Sequence, residues 1–285
     1  MRSAGLVVLV VAAGLGAHWA VAPDDRQVAA PVTRPSAPSA GDGLWDGGGD
    51  GAASGRPAAP GGPAPSSGAA RRDVTVRYTF DAGLAEPVAD AGGRLGLGVR
   101  RARGGTLATV PHDGGLAVRF PAPCAHYGAE SCARAILQSG PAGFLNPGRG
   151  RFSFGASLLV APNETSKGAN VLQKGFSIGD SQFKLQVDGE AGLPSCVIVG
   201  TSSDAIFVAV ASRSVADGRW HRVACSRRDA LLTVAVDGVE AGRAAIPSSL
   251  SIANEYPLCI GGKGISANND QFVGVIDDVF VTRFA

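Results

Sequence analysis

The sequence has little of what long helices need. Only six glutamates and four lysines occur among its 285 residues, whereas glycine occurs 41 times. Glycine destabilises helix interiors, and no window keeps a helical period of apolar residues for three turns. A coiled coil is therefore disfavoured. Because 45% of the residues are hydrophobic, a fully disordered chain is excluded as well.

The sequence also lacks a large excess of basic over acidic residues, or of acidic over basic ones. The 26 basic and 24 acidic residues give a formal net charge of +2. Nucleic-acid-binding proteins rely on a strong positive field, so no nucleic acid partner is predicted. Arg100, Arg101 and Arg103 form the only basic cluster along the sequence. We interpret this cluster as a solvated loop, with contact to an anionic polysaccharide as the alternative.

The N-terminus resembles an export signal. Met1 and Arg2 precede the uncharged run Gly5 to Ala17, and Ala20-Val21-Ala22 fits the small-x-small cleavage pattern. Pro23 directly afterwards is unfavourable for cleavage. Residues 1–22 are therefore predicted to be a signal peptide or a retained membrane anchor, with a buried N-terminal helix as the remaining alternative. The protein is expected to be secreted or extracellular, with membrane contact only through an uncleaved N-terminus.

Residues 23–72 have the composition of a linker. These residues include 10 Gly, 8 Pro and 11 Ala. Such a segment cannot bury enough apolar surface to offset the conformational entropy lost on ordering. We expect a disordered spacer between the N-terminal segment and whatever follows.

Residues 73–285 are predicted to form one β domain. Short runs rich in Val, Ile, Phe and Thr recur there, separated by Gly, Pro, Asn and Asp. At least twelve strands without crossover helices favour an antiparallel sandwich. The run QFKLQVD alternates cleanly, so Phe183, Leu185 and Val187 are expected to share one face. Lys184 and Gln186 would then lie on the other face.

The hairpin DGRWHRVACSRRDALLTVAVDGVEAG, residues 217–242, resembles the signature of laminin-G-like domains. In that family a Trp-His-x-Val strand precedes a strand that ends in Val-Asp-Gly. The segments YTFDAG, VADAGG, GANVLQKG, PLCIGGKG and DQFVGVIDDVFV also fit, in the expected order. The resemblance implies an all-β, concanavalin A-like jelly roll. It also implies that Trp220 is buried between the two sheets, near Val234 or Val236.

Five cysteines in an exported domain predict disulfide bonds. Two bonds among five cysteines allow 15 arrangements. Cys124 and Cys132 bracket a short polar loop, so we pair them. The resemblance joins Cys196 and Cys225, because exported bacterial laminin-G-like sequences often carry a similar pair. Cys259 lies in an apolar strand and is expected to be a free, buried thiol.

No catalytic residue is predicted. Ser177 lies in GFSIG, which matches the G-x-S-x-G nucleophile elbow, but that motif requires a helix afterwards and a strand pattern follows. The glucanases of this superfamily carry E-x-D-x-x-E on one strand, and no glutamate here has those companions. Asp277 and Asp278 are no substitute, because neighbouring strand residues point to opposite faces. The protein is therefore not expected to be an enzyme.

Calcium is the cofactor that the sequence best supports. Modules of this fold often hold calcium where the first and last strands meet, and Asp81, Asp90 and Asp277 would lie there. Turn capping by these aspartates is the alternative.

The sequence favours an exported, non-catalytic module that binds a carbohydrate or a cell-surface protein. Lys184, Gln186 and His221 are the predicted contacts, because they alternate with apolar neighbours. A structural or adhesive surface protein without a sugar site is the alternative, and a glycoside hydrolase is the least favoured class. With three Trp and three Tyr, the chain has few aromatic residues for stacking on sugars, which weakens the lectin hypothesis.

Overall fold

The computed structural model describes residues 73–125, 129–165, 168–178, 180–203 and 205–285. The predicted export segment, residues 1–22, and the predicted linker, residues 23–72, lie outside the described residues. Fifteen strands form within the described ranges. Helical structure there is limited to two three-residue 3-10 turns, and neither has the length or the apolar surface to span a membrane.

The strands form two antiparallel sheets, as the sequence predicts. The order of the eight-stranded sheet is β13 (Val239–Ala245), β12 (Leu231–Val236), β11 (Trp220–Arg228), β6 (Phe152–Leu159), β15 (Val275–Arg283), β4 (Gly115–Arg119) and β3 (Ala108–His112). The remaining strand of this sheet, β1 (Val74–Tyr78), also pairs with β15. In the seven-stranded sheet, the order is β10 (Ile206–Val210), β9 (Leu193–Val199), β8 (Gln182–Asp188), β7 (Ala169–Gly175), β14 (Pro257–Ile260), β5 (Arg134–Pro141) and β2 (Leu97–Ala102). Arg100 and Arg101 thus belong to an edge strand rather than to the loop expected from the sequence.

The hydrophobic core lies between the inner faces of the two sheets. Phe183, Leu185 and Val187 of β8 are buried there, as their alternation predicts. Phe154 of the facing sheet packs on Phe183, with ring centroids 5.1 Å apart. Burial of these faces removes a large apolar area from water, which is the main stabilising contribution in a sandwich of this kind. The concanavalin A-like jelly-roll architecture is thereby confirmed.

The cysteines pair as predicted. Cys196 of β9 bonds to Cys225 of β11 and so joins the two sheets through the core. Cys124 and Cys132 close a short loop before β5. Cys259 is free and buried in β14, where burial raises the pKa of its thiol to about 12. A thiol that stays protonated at neutral pH is a poor nucleophile, so Cys259 serves as a small apolar side chain.

Trp220 does not lie between the sheets, so that prediction is wrong. Along β11 the inward positions are His221, Val223 and Cys225, and Trp220 lies half-buried on the outer face. There its ring stacks on His112, with centroids 3.6 Å apart. The reason is strand alternation. Cys225 must face inward to reach Cys196, which fixes the opposite orientation for every position an odd number of residues away.

Trp220→Ala is accordingly expected to cost only about 1–2 kcal/mol of unfolding free energy, because the ring lies on the outer face in partial contact with water and its removal opens no cavity between the sheets. Phe154→Ala, a matched aromatic truncation in the core, should cost about 3–5 kcal/mol. Urea denaturation of both variants checks this difference. A Trp220→Ala loss as large as that of Phe154→Ala would contradict the outer position.

Candidate functional site

The outer face of the seven-stranded sheet carries a continuous row of polar side chains. Lys184 of β8 lies beside Gln173 of β7. Gln173 lies beside Cys259 of β14, which in turn lies beside Gln138 of β5. Strands are spaced by about 4.8 Å, so the row extends roughly 14 Å across four strands. Its members point away from the core, because Lys184 alternates with the buried Phe183.

A second row runs parallel to the first. Asn170 of β7 pairs with Gln186 of β8, which pairs with Ser195 of β9. The Asn170 Nδ2 donates to Gln173 Oε1 at 2.6 Å and so links the two rows. Asn170 is fully buried, and its Oδ1 has no hydrogen-bond partner among the described residues. We refer to the following five residues as the polar floor: Gln138, Asn170, Gln173, Lys184 and Gln186.

One carboxylate borders the polar floor. Asp188 Oδ2 accepts hydrogen bonds from Gln186 Nε2 at 2.5 Å and from Ser195 Oγ at 2.6 Å. Burial raises the pKa of Asp188, although these donors and the charge of Lys184 oppose the shift. The negative charge of Asp270 adds to the increase. Asp188 is therefore fixed by its neighbours, and its charge is partly balanced.

The loop of residues 261–274 adds polar groups beside the floor. The Asp270 carbonyl accepts the Asn170 amide at 2.9 Å. Lys263 Nζ lies 3.3 Å from Asp270 Oδ2, so both of these side chains are charge-paired. The neutral amide side chains of the floor thus lie among two lysines, Lys184 and Lys263, and two aspartates, Asp188 and Asp270. The site has many hydrogen-bonding groups and a balanced charge.

Of the three predicted ligand contacts, Lys184 and Gln186 lie together on the polar floor, but His221 does not. His221 is buried, and its Nδ1 lies 2.9 Å from Asp237 Oδ2 and its Nε2 lies 3.0 Å from Asp217 Oδ1. Asp237 also accepts the Arg222 amide at 2.9 Å. The two halves of the Trp-His-x-Val and Val-Asp-Gly signature therefore bind each other. His221 stabilises this hairpin and is not exposed to a ligand.

The hydrogen-bond donors around His221 also shift the pKa of its two partners, Asp237 and Asp217. Burial alone would raise the pKa of Asp237, but hydrogen bonds from His221, from the Arg222 amide and from Arg213 lower it overall. Hydrogen bonding from the Arg219 amide is the largest cause that lowers the pKa of Asp217, and His221 contributes to the same decrease. Both aspartates are therefore held ionised beside the imidazole, as a structural ion cluster requires.

The three aspartates predicted to bind calcium make separate protein contacts. Asp90 is buried and accepts the backbone amides of Gly92, Arg94 and Leu95 at 2.6–2.9 Å. Asp81 Oδ1 accepts the Leu116 amide at 3.1 Å. The Asp90 contacts are those of turn capping, the alternative interpretation, whereas Asp81 binds the amide of a residue 35 positions away on β4. In the part of the chain that the structure describes, no group of three His, Cys, Asp or Glu side chains is arranged to hold a metal ion.

Asp277, the third of these aspartates, binds His112 on the outer face of the eight-stranded sheet. Its Oδ2 lies 2.5 Å from His112 Nδ1, and burial raises its pKa despite this hydrogen bond. Asp278 forms an ion pair with Arg77 at 2.5 Å. The two aspartates were expected to point to opposite faces. A bulge between Asp277 and Phe280 breaks the alternation, and both carboxylates bind outer-face partners.

Ser177 lies in a β hairpin, as its sequence context predicts. Gly175 ends β7 with φ +84°, and β8 begins at Gln182 and pairs antiparallel with β7. A nucleophile elbow needs a strand followed by a helix, which the described residues here do not form. Gly179, the last residue of the motif, lies outside the described residues.

Sequence reasoning missed Asn170 and Gln173 as site residues. They are three positions apart, so regular alternation would place them on opposite faces of β7. The register of β7 against β8 shifts between Asn170 and Leu172, and this bulge brings both side chains to the outer face. The sequence contains the two polar residues, but the bulge depends on the partner strand.

The comparisons with known proteins match this architecture. The family model described as the concanavalin A-like lectin/glucanases superfamily matches residues 147–285. No curated protein is similar in sequence. Among solved structures, domain 4 of AbnA, a GH43 extracellular arabinanase from Geobacillus stearothermophilus, in complex with arabinotriose, is 17% identical. Its TM-score is 0.53, and the match covers 75% of this chain and 95% of that one.

Two toxin domains are also similar. The binding domain of Paraclostridial Mosquitocidal Protein 1 is 12% identical with a TM-score of 0.51, and the match covers 70% of this chain and 46% of that one. The binding domain of botulinum neurotoxin serotype C1 is 8% identical with a TM-score of 0.51, covering 74% and 48%. The chain thus spans about half the length of these toxin domains. At such identities the likeness shows a common fold.

Proposed function

We propose that the domain, in which residues 147–285 match the family model of the concanavalin A-like lectin/glucanases superfamily, is a non-catalytic module that binds a neutral glycan on the polar floor. One observation carries the proposal. Hydrogen-bonding side chains from three strands, β5, β7 and β8, lie in a row on one face of a sheet whose other face is mainly apolar, with the buried Cys259 of β14 between Gln138 and Gln173. A row of this kind presents fixed donors and acceptors along an extended ligand.

The chemistry of the floor suits sugar hydroxyl groups. The amide groups of Gln138 and Gln186 can both donate and accept hydrogen bonds, as adjacent hydroxyls on a sugar ring do. Gln173 is buried, and its Nε2 already donates to the Gly175 carbonyl at 2.7 Å, so it supports the floor from beneath. Lys184 adds a charged donor, which makes stronger hydrogen bonds than a neutral one. Asn170 is fully buried, so it supports the floor through its hydrogen bond to Gln173 and does not itself reach a ligand. Because lysine and aspartate charges balance around the floor, a neutral glycan is favoured over a strongly charged one.

The similar structures support a glycan as the ligand class. The arabinanase domain was solved with arabinotriose, and a botulinum neurotoxin type C structure concerns interaction with two ganglioside molecules. Both structures are similar in fold to this chain, with TM-scores of 0.53 and 0.51. The two disulfides of this chain are typical of proteins in oxidising compartments, which supports export to where such glycans occur.

A glycoside hydrolase is less well supported. Hydrolysis of a glycosidic bond takes two carboxyl groups that flank it. On the polar floor Asp188 is the bordering acid, and it is already bonded to Gln186 and Ser195. Asp270, which interacts with it electrostatically, is paired with Lys263. Among the residues that the structure describes, the floor therefore offers no pair of unoccupied carboxyl groups.

The test is a glycan array probed with the full chain and with two variants. Lys184→Ala should weaken binding to the selected neutral glycan by between about tenfold and a hundredfold, because a charged hydrogen bond contributes about 1.5–3 kcal/mol. Arg222→Ala, an exposed truncation on the outer face of the other sheet, is the matched control and should bind as the unmodified protein does. Equal affinity of Lys184→Ala and the unmodified protein would contradict the site.

The same array distinguishes the alternatives. A chain that binds no glycan at all would favour the structural or adhesive surface protein. Calcium binding by Asp81, Asp90 and Asp277 stays a prediction, and the array is therefore run with added calcium and with a chelator. Glycan binding lost on chelation would place a calcium ion in the site, whereas unchanged binding would assign recognition to the protein side chains alone.

A further inference from the structure

A second site lies at one end of the sandwich, where the C-terminal part of β15 meets the start of β6. A cleft of about 610 Å³ opens there, lined by Pro147, Arg149, Gly150, Arg151, Arg283, Phe284 and Ala285. Its arginines come from distant parts of the chain. They meet because Arg283 pairs with Phe152, the residue that follows Arg151.

The three guanidinium groups in the cleft have no acidic partner. In the described ranges, none of Arg149, Arg151 and Arg283 forms a side-chain ion pair or hydrogen bond, whereas Arg77, Arg119, Arg213 and Arg243 are each paired with a carboxylate. Three like charges around one cleft repel one another, and an anion placed among them removes this repulsion. Asp73 borders the cleft, where its Oδ1 accepts the Ala285 amide at 2.9 Å, so one carboxylate stands against three guanidinium groups and the cleft keeps an excess of positive charge.

The cleft is also firmly built. The buried Arg227 donates from Nη1 to the Gly148 carbonyl at 3.2 Å, and so anchors the segment that carries Arg149 and Arg151. The backbone amide of Phe284 donates to the Arg151 carbonyl at 3.1 Å. The Arg151 guanidinium lies 5.3 Å from the centre of the Phe284 ring, so the aromatic ring orients it. A fixed guanidinium loses little freedom when it binds an oxyanion.

We propose that this cleft binds the carboxylate or sulfate groups of an acidic polysaccharide. Guanidinium groups match the two oxygens of such anions in a bidentate arrangement. The Phe284 ring adds an apolar surface for the face of a sugar ring. The volume lies within the range of small-ligand sites, which suits one or two sugar units better than a flat membrane surface. The protein would then hold two different sugar ligands, one on the polar floor and one in the cleft.

The test measures binding of the full chain to oligogalacturonate, which carries carboxylates, to sulfated dextran, and to unmodified dextran. The double variant Arg151→Ala/Arg283→Ala should bind at least one of the two acidic probes at least tenfold more weakly than the unmodified protein. The unmodified protein should also lose affinity steeply with added salt, because the contact is charged. Tighter binding of oligogalacturonate would identify the carboxylate as the preferred group, and tighter binding of sulfated dextran would identify the sulfate.

Three controls keep the outcome decisive. Arg243→Ala removes an exposed arginine that is paired with Glu240 and should leave affinity unchanged. Lys184→Ala should retain acidic polysaccharide binding, which separates failure of this proposal from failure of the polar floor. Vesicles of phosphatidylcholine with phosphatidylserine test a lipid ligand. Binding to these vesicles in preference to both acidic polysaccharides, or unaltered polysaccharide binding by the double variant, would overturn the proposal.

Discussion

Replacing Lys174 by methionine is expected to lower the free energy of unfolding by about 3 kcal/mol. Lys174 is fully buried, and its Nζ donates to Asn146 Oδ1 at 2.7 Å and to the Asn254 carbonyl and Oδ1 at 2.7 and 2.6 Å. Without the ammonium group, three oxygen acceptors lose a hydrogen bond. Each acceptor that stays buried and unpaired costs about 1–3 kcal/mol of unfolding free energy. Relief of the desolvation cost of the ammonium group offsets part of this loss.

Lys184→Met is the matched control, because Lys184 lies on the neighbouring strand but points to the outer face. Its replacement should change the free energy of unfolding by less than about 1 kcal/mol. Urea denaturation at pH 7 of both variants gives the comparison. Equal losses in the two variants would contradict the inward position of Lys174 and its role in joining β7 to two loops.

Lys174 should also make stability depend on pH. Burial lowers its pKa in the folded protein to about 8, whereas the unfolded chain keeps a value of about 10.4. Between these two values unfolding takes up a proton, so the contribution of Lys174 to the free energy of unfolding rises with pH. The difference between the unmodified protein and Lys174→Met should therefore grow between about pH 8 and 10.4, and a constant difference would refute the shift.

The second large effect is expected for the disulfide that joins the sheets. Cys196 and Cys225 are separated by 29 residues and are both fully buried. Their bond restricts the unfolded chain, and loop-entropy estimates give about 3.5 kcal/mol for its removal as Cys196→Ala/Cys225→Ala. Cys124 and Cys132 are separated by 8 residues, so the corresponding double variant should lose about 2.5 kcal/mol. A larger loss in the short-loop variant would contradict this order.

Much of the fold was predictable because strand alternation and turn residues are local signals. The alternation in β8 correctly placed Phe183 inside and Lys184 and Gln186 outside. The orientation of β11 could also have been predicted. Cys225 and His221 are four residues apart and share a face, so the predicted bond to Cys196 already requires His221 to point inward and Trp220 outward.

The rest depended on contacts that the sequence does not encode locally. Bulges in β7 and β15 change which side chains share a face, and a bulge forms only against a particular partner strand. Asn170 was therefore missed, and Asp277 and Asp278 were assigned to opposite faces. The arginine cleft could not be predicted from the sequence for a similar reason. Pairing of β6 with β15 brings Arg151 and Arg283 together, although they are more than 130 positions apart.

NMR titration of the side-chain amide groups tests most directly whether a neutral glycan binds on the polar floor. The glycan selected by the array is added to the labelled full chain. We expect concentration-dependent shifts of the Gln138 and Gln186 side-chain amides, with the Trp220 indole N–H signal unchanged on the opposite sheet. Shifts confined to Trp220, with the glutamine amides unmoved, would contradict the account and would move the sugar site to the outer face of the eight-stranded sheet.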